Sequence, residues 1–224
     1  MNDPLILLFK LGSKKDMIAL LERGHVHMKT LGEFKRLEDR TPRWDPDEAT
    51  HSCLQMSVDI QLDDGWQAVP VDGGIRTHDT ELESANVYCL HARTASQCSE
   101  PWSLAGLGYG DYYVLFRNPV EFISRLRSAT EAQGHTISYS RVEYVDRYQY
   151  HGPMGAFRKF SERSGDSEFR VLVSPGVGAS LDLYLGSLAD IAVLGPAAGT
   201  ISLDSEAAKR GITSLTFGRS RTDA

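Results

Sequence analysis

The sequence predicts an α+β fold: a single domain with a curved mixed, mostly antiparallel sheet flanked by a few helices. Three observations carry this. Strand-like runs outnumber helical ones, several neighbouring runs are joined by hairpin turns, and the regular strand–helix alternation of a parallel sheet is missing. The 224 residues suffice for one large domain with its own core, taken as 1–224 with 218–224 as a flexible tail.

The apolar run LILLF (5–9) reads as a buried strand. Ser13 caps a helix over 14–23 with Asp16 three residues on. Met17, Leu20 and Leu21 form its apolar face, and Gly24 stops it. HVHMKT (25–30) alternates as a strand, with Val26 and Met28 on one face. Residues 35–50 are dense in charge and read as an ordered surface loop. LQMSVDIQL (54–62), the turn DDG and WQAVPV form a hairpin. NVYCLHA (86–92) and DYYVLF (111–116) are further strands. Asn118, Pro119 and Glu121 open a helix over 119–133, with Phe122, Ile123, Leu126 and Ala129 on one face. SRVEYVDRY alternates again, and MGAFRKFSERSG (154–165) reads as a short helix. The tail contains a strand at IAVLGP, a helix near 204–210 and a closing strand.

Lys plus Arg number 24 against 30 Asp plus Glu, for a net charge of −6. That balance argues against general nucleic-acid coating, which depends on clustered cations neutralising phosphates. The three cysteines, Cys53, Cys89 and Cys98, include no Cys-x-x-Cys pair, which favours a reducing, cytoplasmic setting over a disulfide framework. The N-terminal apolar run is too short to span a membrane, and no signal peptide is expected.

Several constellations can be weighed for chemistry. GLGYG (106–110) precedes a strand rather than a helix, so it fits a turn better than a phosphate loop. His25 and His27 share one strand face, but His51-x-Cys53 matches zinc spacing poorly, and no metal is expected. No Gly-x-Ser-x-Gly elbow occurs, and Cys89 sits mid-strand as a buried structural cysteine does. In the 36–48 loop, Arg36, Glu38, Asp39, Arg40, Arg43, Asp45, Asp47 and Glu48 surround Trp44. It is either a solvated face or an anion-binding loop with Trp44 as a stacking platform. In GDSEFRVLVSPG (165–176), strand alternation places Glu168 and Arg170 on one face. They are expected to project as a pair lining a groove.

The run from LLFKLGS through MIALLERGHVHMKTLGEFK, then VYCLHA, PWSLAGLGYGDYYVLF, FRKFSERSGDSEFRVLV and IAVLGP, resembles a bacterial and phage family of domains of unknown function. Its members open with leucine, an aromatic and lysine, and reach a Ser/Thr-x-x-x-Phe turn. They carry a late Glu-x-Glu-aromatic-Arg motif, whose first acidic position is Asp166 here. The layout is also similar to that of ADP-ribosyltransferases. That resemblance implies a nucleotide-acting enzyme of bacterial or phage conflict using NAD. Glu168 would be its electrostatic catalyst, and Lys10, Arg36, Trp102, Ser103 and Arg170 would hold ligand. Two other readings stand beside it. One is a non-catalytic sensor or effector module that recognises a nucleotide or a protein, with Glu168 and Arg170 as a structural pair. The other is a nuclease holding Mg²⁺ on Glu38, Asp39, Asp45, Glu48 and Glu168.

Overall fold

A computed structural model describes residues 5–37, 44–94, 96–98, 102–104, 107–198 and 200–201. The expected helix near 204–210, the closing strand, the tail 218–224 and Glu38, Asp39, Arg40 and Arg43 lie outside the described residues. In chain order the elements are β1 (Leu5–Gly12), α1 (Lys14–Arg23), β2 (His25–Thr30), α2 (Leu31–Lys35), β3 (Thr50–Leu62), β4 (Gly65–His78), α3 (Thr80–Ser84) and β5 (Asn86–Thr94). There follow β6 (Trp102–Ser103), β7 (Tyr112–Phe116), α4 (Pro119–Glu131), β8 (Ile137–Arg141), β9 (Glu143–Val145), β10 (Gly152–Pro153), β11 (Arg158–Phe160) and β12 (Glu168–Val173). The last are β13 (Leu181–Tyr184), β14 (Ala192–Pro196) and β15 (Thr200–Ile201). The architecture is α+β with predominantly antiparallel sheets.

The chain folds as two compact units, each discontinuous in sequence: residues 1–26, 89–134 and 182–224 in the first, and 27–88 and 135–181 in the second. In the first unit β1 is antiparallel to β5 on one side and to β7 on the other, and β7 is antiparallel to β14. Leu7, Phe9 and Leu11 join Leu104 and Ala197 in one core cluster, while Leu8 is buried on the opposite face. A strand buried on both faces has no reason to alternate, which is why LILLF is continuously apolar. α1 begins and ends as its sequence predicts. Ser13 accepts a hydrogen bond from the Asp16 N–H, and Gly24 closes the helix at a φ of 61°. α4 packs Phe122 on Phe116 with ring centroids 3.9 Å apart.

In the second unit β2 pairs with the start of β5, β12 with β8, and β11 runs parallel to β9. β3 and β4 form a long hairpin whose root is extended by β10 on Ser52 and Cys53. Two short helices were not predicted. One of them, α2, has a complete capping box: Thr30 accepts from the Glu33 N–H, and the Glu33 carboxylate accepts from the Thr30 N–H. It occupies the Thr30–Phe34 segment read as a turn. The helix expected over 154–165 is instead two 3₁₀ turns, Gly155–Phe157 and Ser161–Asp166, with β11 between them. The reason is tertiary. Pairing with β9 buries Lys159 and Phe160, and a Ser- and Gly-bearing segment has little helix propensity to oppose it.

In GLGYG, Gly108 and Gly110 both hold positive φ in the bend that precedes β7, while Gly106 lies outside the described residues. Gly110 has a φ of 139°, and a Cβ there would lie 2.3 Å from the Gly12 backbone. Gly110→Ala is therefore expected to destabilise the protein by about 2 kcal/mol or more, measured by urea unfolding.

Candidate functional site

The stretch with the densest chemistry is a cluster of charges inside the second unit. Arg170, in the middle of β12, is only 1% exposed. Its Nε donates to Glu168 Oε2 at 2.7 Å. Its Nη1 and Nη2 grip both oxygens of Glu48 at 2.8 and 2.6 Å, and Nη1 also donates to the Ala156 carbonyl. Lys159, from β11, lies 3.0 Å from Glu168 Oε1, 3.1 Å from Asp45 and 3.4 Å from Glu48. Three carboxylates thus meet two cations away from water. The planar guanidinium suits this position, because its fixed fork can serve two carboxylates and a carbonyl at once.

The local sequence explains how each group arrives. Asp45 accepts the Asp47 N–H, and Thr50 donates its hydroxyl to the Asp47 carbonyl. This turn carries Asp45 and Glu48 inward at the root of β3. The loop expected to be a solvated or anion-binding face therefore buries two of its carboxylates. Trp44, expected as a stacking platform, accepts from Arg163 through its backbone carbonyl. Glu168 opens β12, where its N–H donates to Tyr144 Oη. Ala49 and Ser167, flanking Glu48 and Glu168, both adopt left-handed φ values, 60° and 45°.

The electrostatics follow from the geometry. Burial pushes the Glu168 carboxyl up, but Arg170 and Lys159 outweigh it and hold the group down at about 2. Burial opposes the Lys159 charge, and Glu48 and Glu168 reverse that, so its pKa is raised. Burial and the Glu168 charge raise the Tyr144 phenol. A second network adjoins the first through Asp47. This residue accepts from Arg76 at 2.7 Å and Arg147 at 2.6 Å, and both guanidinium groups lie over the Phe160 ring.

Glu168 and Arg170 are a pair, as the sequence suggested, but they line no open groove. Leu172, on the same strand face, is also buried, so β12 has no open face. Arg36 caps the end of α2, with Nη1 4.0 Å from Glu83 rather than on the Glu168 pair. Lys10 belongs to the first unit and donates to the Cys89 carbonyl at 2.7 Å. Trp102 and Ser103 also belong to the first unit, as the two-residue strand β6 paired with β15. Among the described residues no group of three or more His, Cys, Asp and Glu could hold a metal ion. His25 lies 2.8 Å from Asp182. The described residues include no helix long and apolar enough to cross a membrane. Sequence reading missed Lys159, because its segment reads as a helix and only the pairing of β11 with β9 turns it inward. Comparison with protein-family models, curated proteins and solved structures gives no match.

The Glu168 carboxyl is held below its ordinary 4.5 in the folded state. Its contribution to stability is complete above about pH 4.5 and is lost as pH falls through about 2, an effect on the order of 3 kcal/mol. Glu168→Gln should therefore flatten the acid limb of a stability–pH curve between those values. Arg170→Leu leaves Lys159 as the one cation among three carboxylates of the cluster and should cost about 3–5 kcal/mol in chemical denaturation. Ser167→Gly relieves left-handed backbone and should stabilise by roughly 0.5–1 kcal/mol in the same assay.

Proposed function

We propose that this chain is a non-catalytic protein-recognition module whose contact element is the β3–β4 hairpin. The observation that carries this is the hairpin's apolar face. Leu54, Met56, Val58, Ile60 and Leu62 alternate along β3, and Val69 and Ile75 stand opposite Val58 and Leu54 on β4. Every one of these seven side chains is between 37% and 50% exposed. Directly opposed residues of an antiparallel pair share a face, so Met56, Val58, Ile60, Leu62 and Val69 form one aliphatic surface, with the Leu54–Ile75 pair beyond the register shift at Leu54 and Met56. Contiguous apolar surface of this kind marks interaction sites in folded proteins.

The charge cluster supports the same reading from the other side. In a transferase using NAD, Glu168 would have to meet a ribose and a developing positive charge. Here each of its oxygens faces a cation instead, on Lys159 and Arg170. The same occupied oxygens disfavour a Mg²⁺-holding role. Glu168 and Arg170 act on function by fixing the root from which the hairpin projects. Gln55 reinforces that root, donating to the carbonyls of Arg147 and Tyr150.

The test sets recognition against catalysis. Wild type and Glu168→Gln are incubated with labelled NAD, and separately with plasmid DNA and RNA with and without EDTA. The expected result is no NAD consumption, no transfer and no cleavage. Turnover of NAD, or EDTA-sensitive cleavage, that disappears in the folded Glu168→Gln protein would overturn the proposal.

A further inference from the structure

The hairpin face has a charge signature that restricts what can cover it. Residues 54–75 contain Asp59, Asp63, Asp64 and Asp72 and not one Lys, Arg or His. Asp63 and Asp64 form the tip between Leu62 and Gly65. Asp59 lies opposite Ala68, next to the Gln61–Trp66 pair on the polar face. The aliphatic strip thus ends at the two carboxylates of the tip, while Asp59 lies on the opposite face.

Resting on the recognition reading above, we infer that the hairpin takes a basic partner: a protein segment presenting an aliphatic stripe bordered by lysine or arginine. Charge complementarity selects it. Aliphatic contact supplies the attraction, and cations at the end of the stripe meet the tip carboxylates Asp63 and Asp64, in an arm whose residues 54–75 include no cation. A second copy laid hairpin to hairpin would add four more aspartates to an arm whose residues 54–75 include no Lys, Arg or His to meet them. Nucleic acid and anionic bilayers carry the same sign as the tip. The hairpin's edges favour an added strand as much as its face favours a packed helix. Among the described residues, β10 covers β3 only at Ser52 and Cys53, and β4 pairs with β3 alone.

The experiment uses the full chain with two fluorescein-labelled 18-residue amphipathic probes, one of leucine and lysine, the other of leucine and glutamate. Binding is read by anisotropy at low and high salt. The Leu/Lys peptide should bind the wild type at least about tenfold more tightly than the Leu/Glu peptide and weaken several-fold with salt. Val58→Thr/Ile60→Gln should abolish that binding, and Asp63→Asn/Asp64→Asn should weaken it about tenfold. Both variants change exposed side chains, so an unchanged thermal midpoint verifies their fold. Hairpin-dependent binding of the Leu/Glu peptide at equal or greater affinity overturns the basic-partner inference while leaving recognition by the hairpin standing. Binding that the Val58→Thr/Ile60→Gln variant retains overturns both, and so does a failure of both peptides to bind. Hairpin-dependent dimerisation in sedimentation velocity replaces the inferred partner with a second copy. Hairpin-dependent binding to phosphatidylserine vesicles replaces it with a membrane.

Discussion

A guanidinium with almost no access to water sits at the centre of the second unit, and much around it follows from the need to satisfy it. Arg170 cannot shed its charge, so burying it demands carboxylates within hydrogen-bond reach. Glu48 and Glu168 supply them, and Lys159 in turn compensates the third carboxylate, Asp45. These groups come from the turn before β3, from β11 and from β12, so one electrostatic requirement brings three distant parts of the chain together. Such a cluster gives little net stability over a well-packed apolar core, but breaking one member is costly. Its value here lies in position, since it determines where the root of the hairpin sits.

The cluster also accounts for local features with no other evident purpose. Ala49 and Ser167 hold left-handed backbone without being glycine, and each adjoins a carboxylate that Arg170 grips. Tertiary demand outweighs local preference at both. β11 shows the same effect on a larger scale: an extended segment delivers Lys159 to the carboxylates, and a helix there would turn the ammonium through a different direction every residue.

A root braced by hydrogen bonds and ion pairs and an exposed arm make a coherent pair. A two-stranded ribbon with one aliphatic face is marginal by itself, and this one is secured at its base by β10, by Gln55 and by the Asp47 contacts to Arg76 and Arg147. The arrangement places disposable surface on the hairpin and irreplaceable contacts beneath it. On the proposed reading, changes to the aliphatic strip would alter recognition without touching the fold, whereas changes to the charge cluster would act on both.

Much of the architecture was legible in the sequence because it is governed by short-range rules. α1 is set by Ser13, Asp16 and Gly24, α4 starts where Asn118 and Pro119 place it, and the hairpin follows from alternation on either side of Asp63, Asp64 and Gly65. The pairing of Glu168 with Arg170 was legible for the same reason, since residues two apart on a strand share a face. What alternation cannot reveal is whether that face meets water. Only the tertiary structure decided that Arg170 is buried, that Glu48 and Asp45 turn inward from a charged loop, and that Lys159 joins them. It also decided that the hairpin's aliphatic residues, written in the same alternating pattern as a core strand, are exposed. The physical reason is common to all of these: periodicity is a property of neighbouring residues, whereas burial depends on what distant parts of the chain bring to each face.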